Sequence, residues 1–307
     1  MSSLRISIVQ YLNTAPLVRG FTHGPLRGKY QLSFTVPSQC AEALRSGAVD
    51  IAIIPAIELQ RIDGLVVLPN LSIASKKSVR SLLLVAKKPI HEVRRIALDR
   101  SSRSTQALVR ILCAKNWLIA PEFFEADPDL PSMLQGADAA LLIGDPALRL
   151  AIDSESNAKR GAAGDLSVPA KIAGISSSSP LFLYDMVEKW RALTNLPAVL
   201  AVWAARPASV TPEVIRDFQD SLAFGMQHLS EISAEASREL NLPAAKISGY
   251  LTENIDYSLD EENLRGLRRY FFLAAELGLI PDLKGIPFAA ELGGPAGYED
   301  FLVARKN

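Results

Sequence analysis

The stretch Arg5-Ile6-Ser7-Ile8-Val9-Gln10-Tyr11-Leu12-Asn13-Thr14-Ala15-Pro16-Leu17 joins an extended run to a helix start. Residues 5–11 read as a first strand, and Pro16 falls in the first turn of the helix that follows. Asn13 and Thr14 therefore stand at a strand-to-helix turn, where a ligand group would meet unpaired amides and a partial positive charge. Outward from this turn the alternation continues, with a strand over 30–36, a helix over 38–46 and a strand over 49–54. Ser38 is an N-cap candidate and Gly47 a helix stop. That order predicts parallel strands with crossover helices. A long apolar strand follows over 80–86.

Beyond Lys87-Lys88-Pro89 the alternation begins again. Strands are expected over 95–98, 123–126 and 138–143, with a helix over 104–115 between the first two. The Gly-, Pro- and Ser-bearing stretch 162–180 predicts loops and one short strand. A helix over 185–192, an apolar strand over 197–205 and further helices complete the chain. Thr211 and Pro212 fit a cap and first helical position, with Val214, Phe218, Leu222 and Met226 stacked on one face. Ser258 and Glu261 form a capping-box pattern before the stripe Leu264, Leu267, Phe271 and Ala274, and Gly278 fits the end. Two α/β units joined by two apolar strands predict a two-lobed, hinged α/β protein. One lobe takes 1–88 plus 202–307, the other 89–201, with hinges over 85–90 and 200–206. The ligand cleft is expected between them.

The 307 residues carry 33 Lys plus Arg against 33 Asp plus Glu. A net charge of zero provides no long-range attraction to nucleic acid or an anionic membrane, so neither is an expected partner. Cys40 and Cys113 form no C-x-x-C pair and no disulfide framework. No signal-peptide pattern opens the sequence, and the longest strongly apolar run, about ten residues around Trp203, is half of what a bilayer requires. These features predict a cytoplasmic location. Glycine-rich nucleotide loops, zinc-protease and α/β-hydrolase signatures and calcium loops are absent from the sequence. His23, His91 and His228 stand in separate contexts, so no metal site and no cofactor is expected.

Polar residues recur where strands run into helices: Asn13 and Thr14, Ser38, Ser101-Ser102-Arg103-Ser104-Thr105, and Gly144-Asp145-Pro146. In open α/β sheets such turns bind small anions, here most simply a carboxylate. The competing reading is that these residues only cap their helices. Arg103 is a candidate carboxylate partner or a solvated side chain, and Asp99 and Asp145 are acid-base candidates or turn residues. Tyr184, Trp190 and Trp203 read as core aromatics or as cleft lining.

The run Tyr11-Leu12-Asn13-Thr14-Ala15-Pro16-Leu17 resembles the Y-L-N-x-x-P-L signature of the chorismate dehydratases of the futalosine route to menaquinone. Pro37-Ser38, Val49 to Pro55, Val79 to Leu84, Ala97-Leu98-Asp99, Leu142 to Asp145, Tyr250-Leu251 and Ile255-Asp256-Tyr257 extend the resemblance over residues 5 to about 275. It implies a type II periplasmic-binding-protein fold and the removal of water from chorismate to give 3-[(1-carboxyvinyl)oxy]benzoate, without metal or redox cofactor. It also implies that the base is the substrate's own enolpyruvyl carboxylate, held with the help of Asn13 as the catalytic residue. Tyr11, Thr14, Ser38, Ser81, Ser102, Ser104, Thr105, Gly144 and Asp145 are the implied substrate-binding positions. Ser75-Lys76-Lys77-Ser78 stands where the family more usually has a glycine turn, and Ser104-Thr105 reverses its more common order. The alternatives are 1,4-dihydroxy-6-naphthoate synthase, related in fold but built on a histidine and a different first motif, and a non-catalytic protein that binds small carboxylates.

Overall fold

The computed structural model describes residues 3–160, 166–173, 175 and 179–289. The first sheet has the order β2-β1-β3-β12-β4, with β1 at Arg5–Val9, β2 at Gln31–Thr35, β3 at Ile51–Pro55, β4 at Val66–Ser75 and β12 at Ala198–Ala205. The second has the order β7-β6-β8-β5-β11-β10-β9, built from β5 (Leu82–Ala86), β6 (Arg95–Asp99), β7 (Glu122–Ala126), β8 (Ala139–Ile143), β9 (Lys159–Arg160), β10 (Leu166–Val168) and β11 (Leu181–Asp185). The parallel trios expected from the alternation are present, since β1 pairs in parallel with β2 and β3 and β6 does so with β7 and β8. The strands that carry the chain between sheets, β4, β5, β11 and β12, pair antiparallel.

The helices are α1 (Ala15–Thr22), α2 (Pro37–Ser46), α3 (Arg103–Leu112), α4 (Leu130–Gly136), α5 (Gly144–Ser154), α6 (Met186–Thr194), α7 (Pro212–Gln227), α8 (Leu229–Leu240), α9 (Ala244–Gly249) and α10 (Glu261–Glu276). A tight turn, Leu12–Thr14, precedes α1, and a wide helical turn, Tyr250–Asn254, extends α9. Glycine lets α1 and α7 touch backbone to backbone: a Cβ on Gly225 would stand 1.9 Å from the Pro16 carbonyl oxygen.

Several expectations are corrected. The strand Leu82–Ala86 lies in the second sheet and Ala198–Ala205 in the first, so the passages between sheets fall at 76–81 and 186–197. Hinges at 85–90 and 200–206, and lobe boundaries at 88 and 202, sit one strand too late, because each apolar strand belongs to the sheet it enters. The strand Val66–Ser75 is additional to the strands expected, and it runs through Pro69 and Asn70, residue types that favour turns. Asn70 does take a left-handed conformation (φ +61°), yet both halves of the strand pair with β12 across shifted registers. The capping box fails: Asp260 caps α10 by accepting from the Asn263 amide at 2.8 Å, while Ser258 Oγ donates to Asp256 at 2.7 Å. Met226 is exposed rather than part of the buried stripe. Tyr184, Trp190 and Trp203 are buried in the core. Within 162–180, the short strand Leu166–Val168 is described, and residues 161–165, 174 and 176–178 lie outside the described part.

Candidate ligand cleft between the two sheets

The strand ends that feed α1, α2, α3 and α5 face one another across the gap between the sheets. Four helix N-termini converge there, and the cavity they enclose is lined by Tyr11, Asn13, Thr14, Pro37, Ser102, Thr105 and Gly144 on the polar side. Val9, Ile53, Pro55, Ile73, Leu82, Ile143, Leu200 and Ala201 supply an apolar wall. None of the lining residues is a lysine or arginine. An anion there would be met by hydroxyls and first-turn amides, which have no intrahelical acceptor. The cavity measures about 50 Å³, room for a few waters and well short of the roughly 300 Å³ at which small-molecule pockets begin.

No side chain caps any of these four helices. Thr14, before α1, has its hydroxyl turned to the carbonyls of Val9 (2.6 Å) and Tyr11 (2.7 Å). Ser102, before α3, pairs hydroxyl to hydroxyl with Thr105 at 2.7 Å. One of the two protons in that pair bridges the oxygens, which leaves the other for a ligand. Ser38 is not a cap either: Val36 takes the cap position of α2, and the Ser38 amide donates to the Ser101 carbonyl at 3.0 Å. The capping explanation of these residues therefore fails at each of the four turns.

Asn13 is 9% exposed, and its buried Oδ1 has no partner among the described residues. Tyr11 lies against Gly144, whose φ of +68° suits glycine; a Cβ there would stand 2.7 Å from the ring. Burial raises the Tyr11 phenol above its ordinary range; its hydrogen bond with Ser101 opposes this, and the charges of Asp99 and Asp145 add to it.

Ser38, Ser81, Ser104 and Asp145 do not line this cavity, while Asp145 borders an adjoining one with Tyr11 and Thr14. Ser81 Oγ accepts from the Tyr250 hydroxyl at 2.8 Å, and Ser104 Oγ accepts from the Ile57 amide at 3.0 Å. The Asp145 carboxylate accepts from the Leu12 amide at 3.0 Å and so ties α5 to the first turn. Burial raises its pKa and that amide bond opposes the rise. Asp99 is a turn residue, accepting from the amide (2.8 Å) and hydroxyl (2.7 Å) of Ser101, and burial raises its pKa also. Arg103 does not line the cavity: partly exposed, it pairs with the fully buried Glu58 at 3.1 Å and with Glu42 at 3.5 Å.

None of the three histidines lines this cavity, and among the described residues no group of His, Cys, Asp and Glu could hold a metal ion. No described helix is long and apolar enough to cross a membrane. The apolar wall was not foreseen: Ile73 lies on a strand that was not expected, and Leu200 on one expected only as an apolar crossover.

A family model described as menaquinone biosynthesis matches residues 4–276. A chorismate dehydratase from Thermus thermophilus is 28% identical over 288 residues, 92% of this chain and 96% of that protein. Among solved structures, one of an Archaeoglobus fulgidus protein superposes with a TM-score of 0.68 at 18% identity, covering 90% of this chain and 98% of that one. The periplasmic aliphatic sulphonate binding protein of Escherichia coli superposes at 0.58, also at 18% identity, covering 92% and 90%. The fold is thus that of the periplasmic binding proteins.

Proposed function

Because the chain belongs to the menaquinone-biosynthesis family, we propose that it is a chorismate dehydratase, a hydro-lyase acting in the futalosine route. The observation that carries the reading is the cation-free cavity ringed by four uncapped helix N-termini with the unpartnered Asn13 Oδ1 in its wall. Chorismate carries two carboxylates and an alcohol, and amide and hydroxyl donors at helix starts suit the carboxylates. The name of the Thermus thermophilus relative supports the same substrate.

In the reaction, the ring carbon bearing the enolpyruvyl ether loses its hydrogen and the neighbouring carbon loses its hydroxyl. The pair of electrons from the C–H bond becomes the third ring double bond, and water departs with the abstracted proton. Aromatisation drives the step. The enolpyruvyl carboxylate serves as base, while the protein contributes orientation and preorganised dipoles, effects worth several powers of ten in rate. The apolar wall excludes bulk water from the ring.

A cavity of about 50 Å³ does not admit such a molecule, so entry requires the sheets to part about 76–81 and 186–197 and closure to follow. X-ray scattering with and without chorismate tests this, and an unchanged radius would reject closure. The deciding experiment mixes metal-free protein with chorismate and follows products by mass. Catalytic loss of one water with an aromatic product supports the dehydratase. Binding without turnover points to a carboxylate-binding protein, and inertness toward chorismate sends the test to the 1,4-dihydroxy-6-naphthoate synthase substrate.

A further inference from the structure

The start of α3 carries two sets of residues with different duties. Ser102 and Thr105 line the cavity. Ser101, Arg103 and Ser104, which flank them in sequence, bond instead to groups outside the second sheet. The Ser101 carbonyl accepts from the Ser38 amide at 3.0 Å, the Ser104 hydroxyl from the Ile57 amide at 3.0 Å, and the Ser104 carbonyl from the Tyr270 hydroxyl at 2.8 Å. Arg103 donates to Glu58 at 3.1 Å with one guanidinium nitrogen and to Glu42 at 3.5 Å with the other. Glu58 sits in the tight helical turn Ala56–Gln60, directly after the cavity residue Pro55. A carboxylate as fully buried as this one requires a cation, but Arg45 and Arg61 meet that need without Arg103. Arg45 pairs with one carboxylate oxygen and Arg61 with the other at 3.1 Å. Carbonyls hold both of these guanidinium groups as well, that of Arg61 holding Arg45 (3.1 Å) and that of Leu279 holding Arg61 (2.8 Å). The burial of Glu58 therefore does not account for a third arginine. What Arg103 adds is a bond from the α3 wall of the cavity to the first-sheet side.

We propose that Arg103 is a positioning residue: seated on the Glu58 carboxylate that Arg45 and Arg61 hold in place, it fixes the first turn of α3 so that the Ser102 and Thr105 hydroxyls and the first-turn amides meet an anionic group of the ligand. This deepens the dehydratase reading and rests on it for the identity of that group, a carboxylate of chorismate. Arg103 does not line the cavity and acts only through the turn it anchors. Donors that hold a carboxylate alike in the ground state and in the transition state govern binding and not the chemical step.

Arg103→Met keeps most of the aliphatic stem and removes the charge. It is expected to fold with a urea midpoint close to that of wild type, to raise KM for chorismate about tenfold and to leave kcat within about twofold. Arg103→Lys can reach Glu58 but cannot span both carboxylates, so its KM should fall between the two. With Ser102 and Thr105 both replaced by alanine, Arg103→Met should change KM by less than about threefold, because the hydroxyls it positions are gone. An unchanged KM, a loss confined to kcat, or an undiminished effect in the double-alanine background would overturn the assignment. So would an Arg103→Met variant that no longer folds, since Glu58 would then need its third partner. If wild type neither binds nor converts chorismate, the dehydratase reading has failed, and the positioning role is decided on the unliganded protein by hydrogen exchange. The amides of Ser38 and Ile57 donate into the α3 start, and in Arg103→Met they should exchange at least about tenfold faster. The Leu12 amide, bonded to Asp145, should exchange as in wild type. Unchanged rates at Ser38 and Ile57, or equal acceleration at all three amides, would overturn the positioning role.

Discussion

The helix starts of this protein fall into two kinds. Away from the cavity, α4, α6, α7 and α10 each carry a side-chain cap: Asp129 accepts from Ser132, Asp185 from Val187 and Glu188, Thr211 from Val214, and Asp260 from Asn263. Around the cavity, α1, α2, α3 and α5 have none, although Thr14 and Ser102 are of the residue types that cap elsewhere. Their hydroxyls are engaged by carbonyls or by each other. Absence of a cap is not sufficient, since α8 and α9 also lack one and start away from the cavity. What sets α1, α2, α3 and α5 apart is their convergence on one space, although the Ser38 and Gly144 amides are already taken by the Ser101 and Ser81 carbonyls. An anion can be held there by dipoles alone, and α3, with no proline in its first turn, offers the most amides.

The sharpest way to break this contrast is to place charge among the open helix starts. Asn13→Asp should fold as wild type by circular dichroism and lose roughly 100- to 1,000-fold in turnover of chorismate, because a buried anion then faces a dianionic ligand. Unchanged turnover would remove Asn13 from the mechanism. Gly144→Ala comes next. Its Cβ would meet the Tyr11 ring at 2.7 Å at a left-handed position, so a loss of at least about tenfold in kcat/KM is expected with a stability cost of roughly 1–2 kcal/mol.

Asp185 tests the capped kind. It receives four amides, those of Val79 (3.0 Å) and Arg80 (2.7 Å) on one oxygen and those of Val187 (2.9 Å) and Glu188 (3.2 Å) on the other, and thereby ties both passages between the sheets together. Burial pushes its carboxyl up to about 6, with the amides opposing. A carboxyl whose pKa is higher folded than unfolded binds its proton more tightly in the native state. Its contribution is therefore greatest below the unfolded value near 4 and is lost as pH rises toward 6. In denaturant melts, the stability gap between wild type and Asp185→Asn should narrow across that window, by up to about 3 kcal/mol. A gap that widens would show that the four amides outweigh burial.

The smallest effects separate the two kinds most cleanly. Thr211→Ala should cost about 1 kcal/mol in stability and leave turnover unchanged. Ser102→Ala should change stability by less than about 0.5 kcal/mol, because no cap is lost, and raise KM for chorismate about tenfold. Urea melts paired with steady-state kinetics on both variants check this, and a Ser102→Ala variant that is destabilised with normal kinetics would merge the two kinds into one.

Much of this was legible in the chain itself. The alternation from β1 through β3 and from β6 through β7, the turn at Asn13 and Thr14, and the strand-to-helix position of Gly144 follow from local pattern and turn chemistry, which act over a few residues, whereas the helix Leu130–Gly136 before β8 was not expected. The equal numbers of acidic and basic residues restrict long-range attraction whatever the fold. Tertiary structure decided the rest, because burial and pairing join residues that are distant in sequence. It assigned the two linking strands to the sheets they enter, drew Arg103 to Glu58, and gave Ser81, Ser104 and Asp145 to supporting contacts behind the cavity. The bond from Tyr250 to Ser81 spans 169 residues. A local pattern can say that a serine or threonine is able to cap a helix, but whether it does depends on which distant groups compete for its hydroxyl.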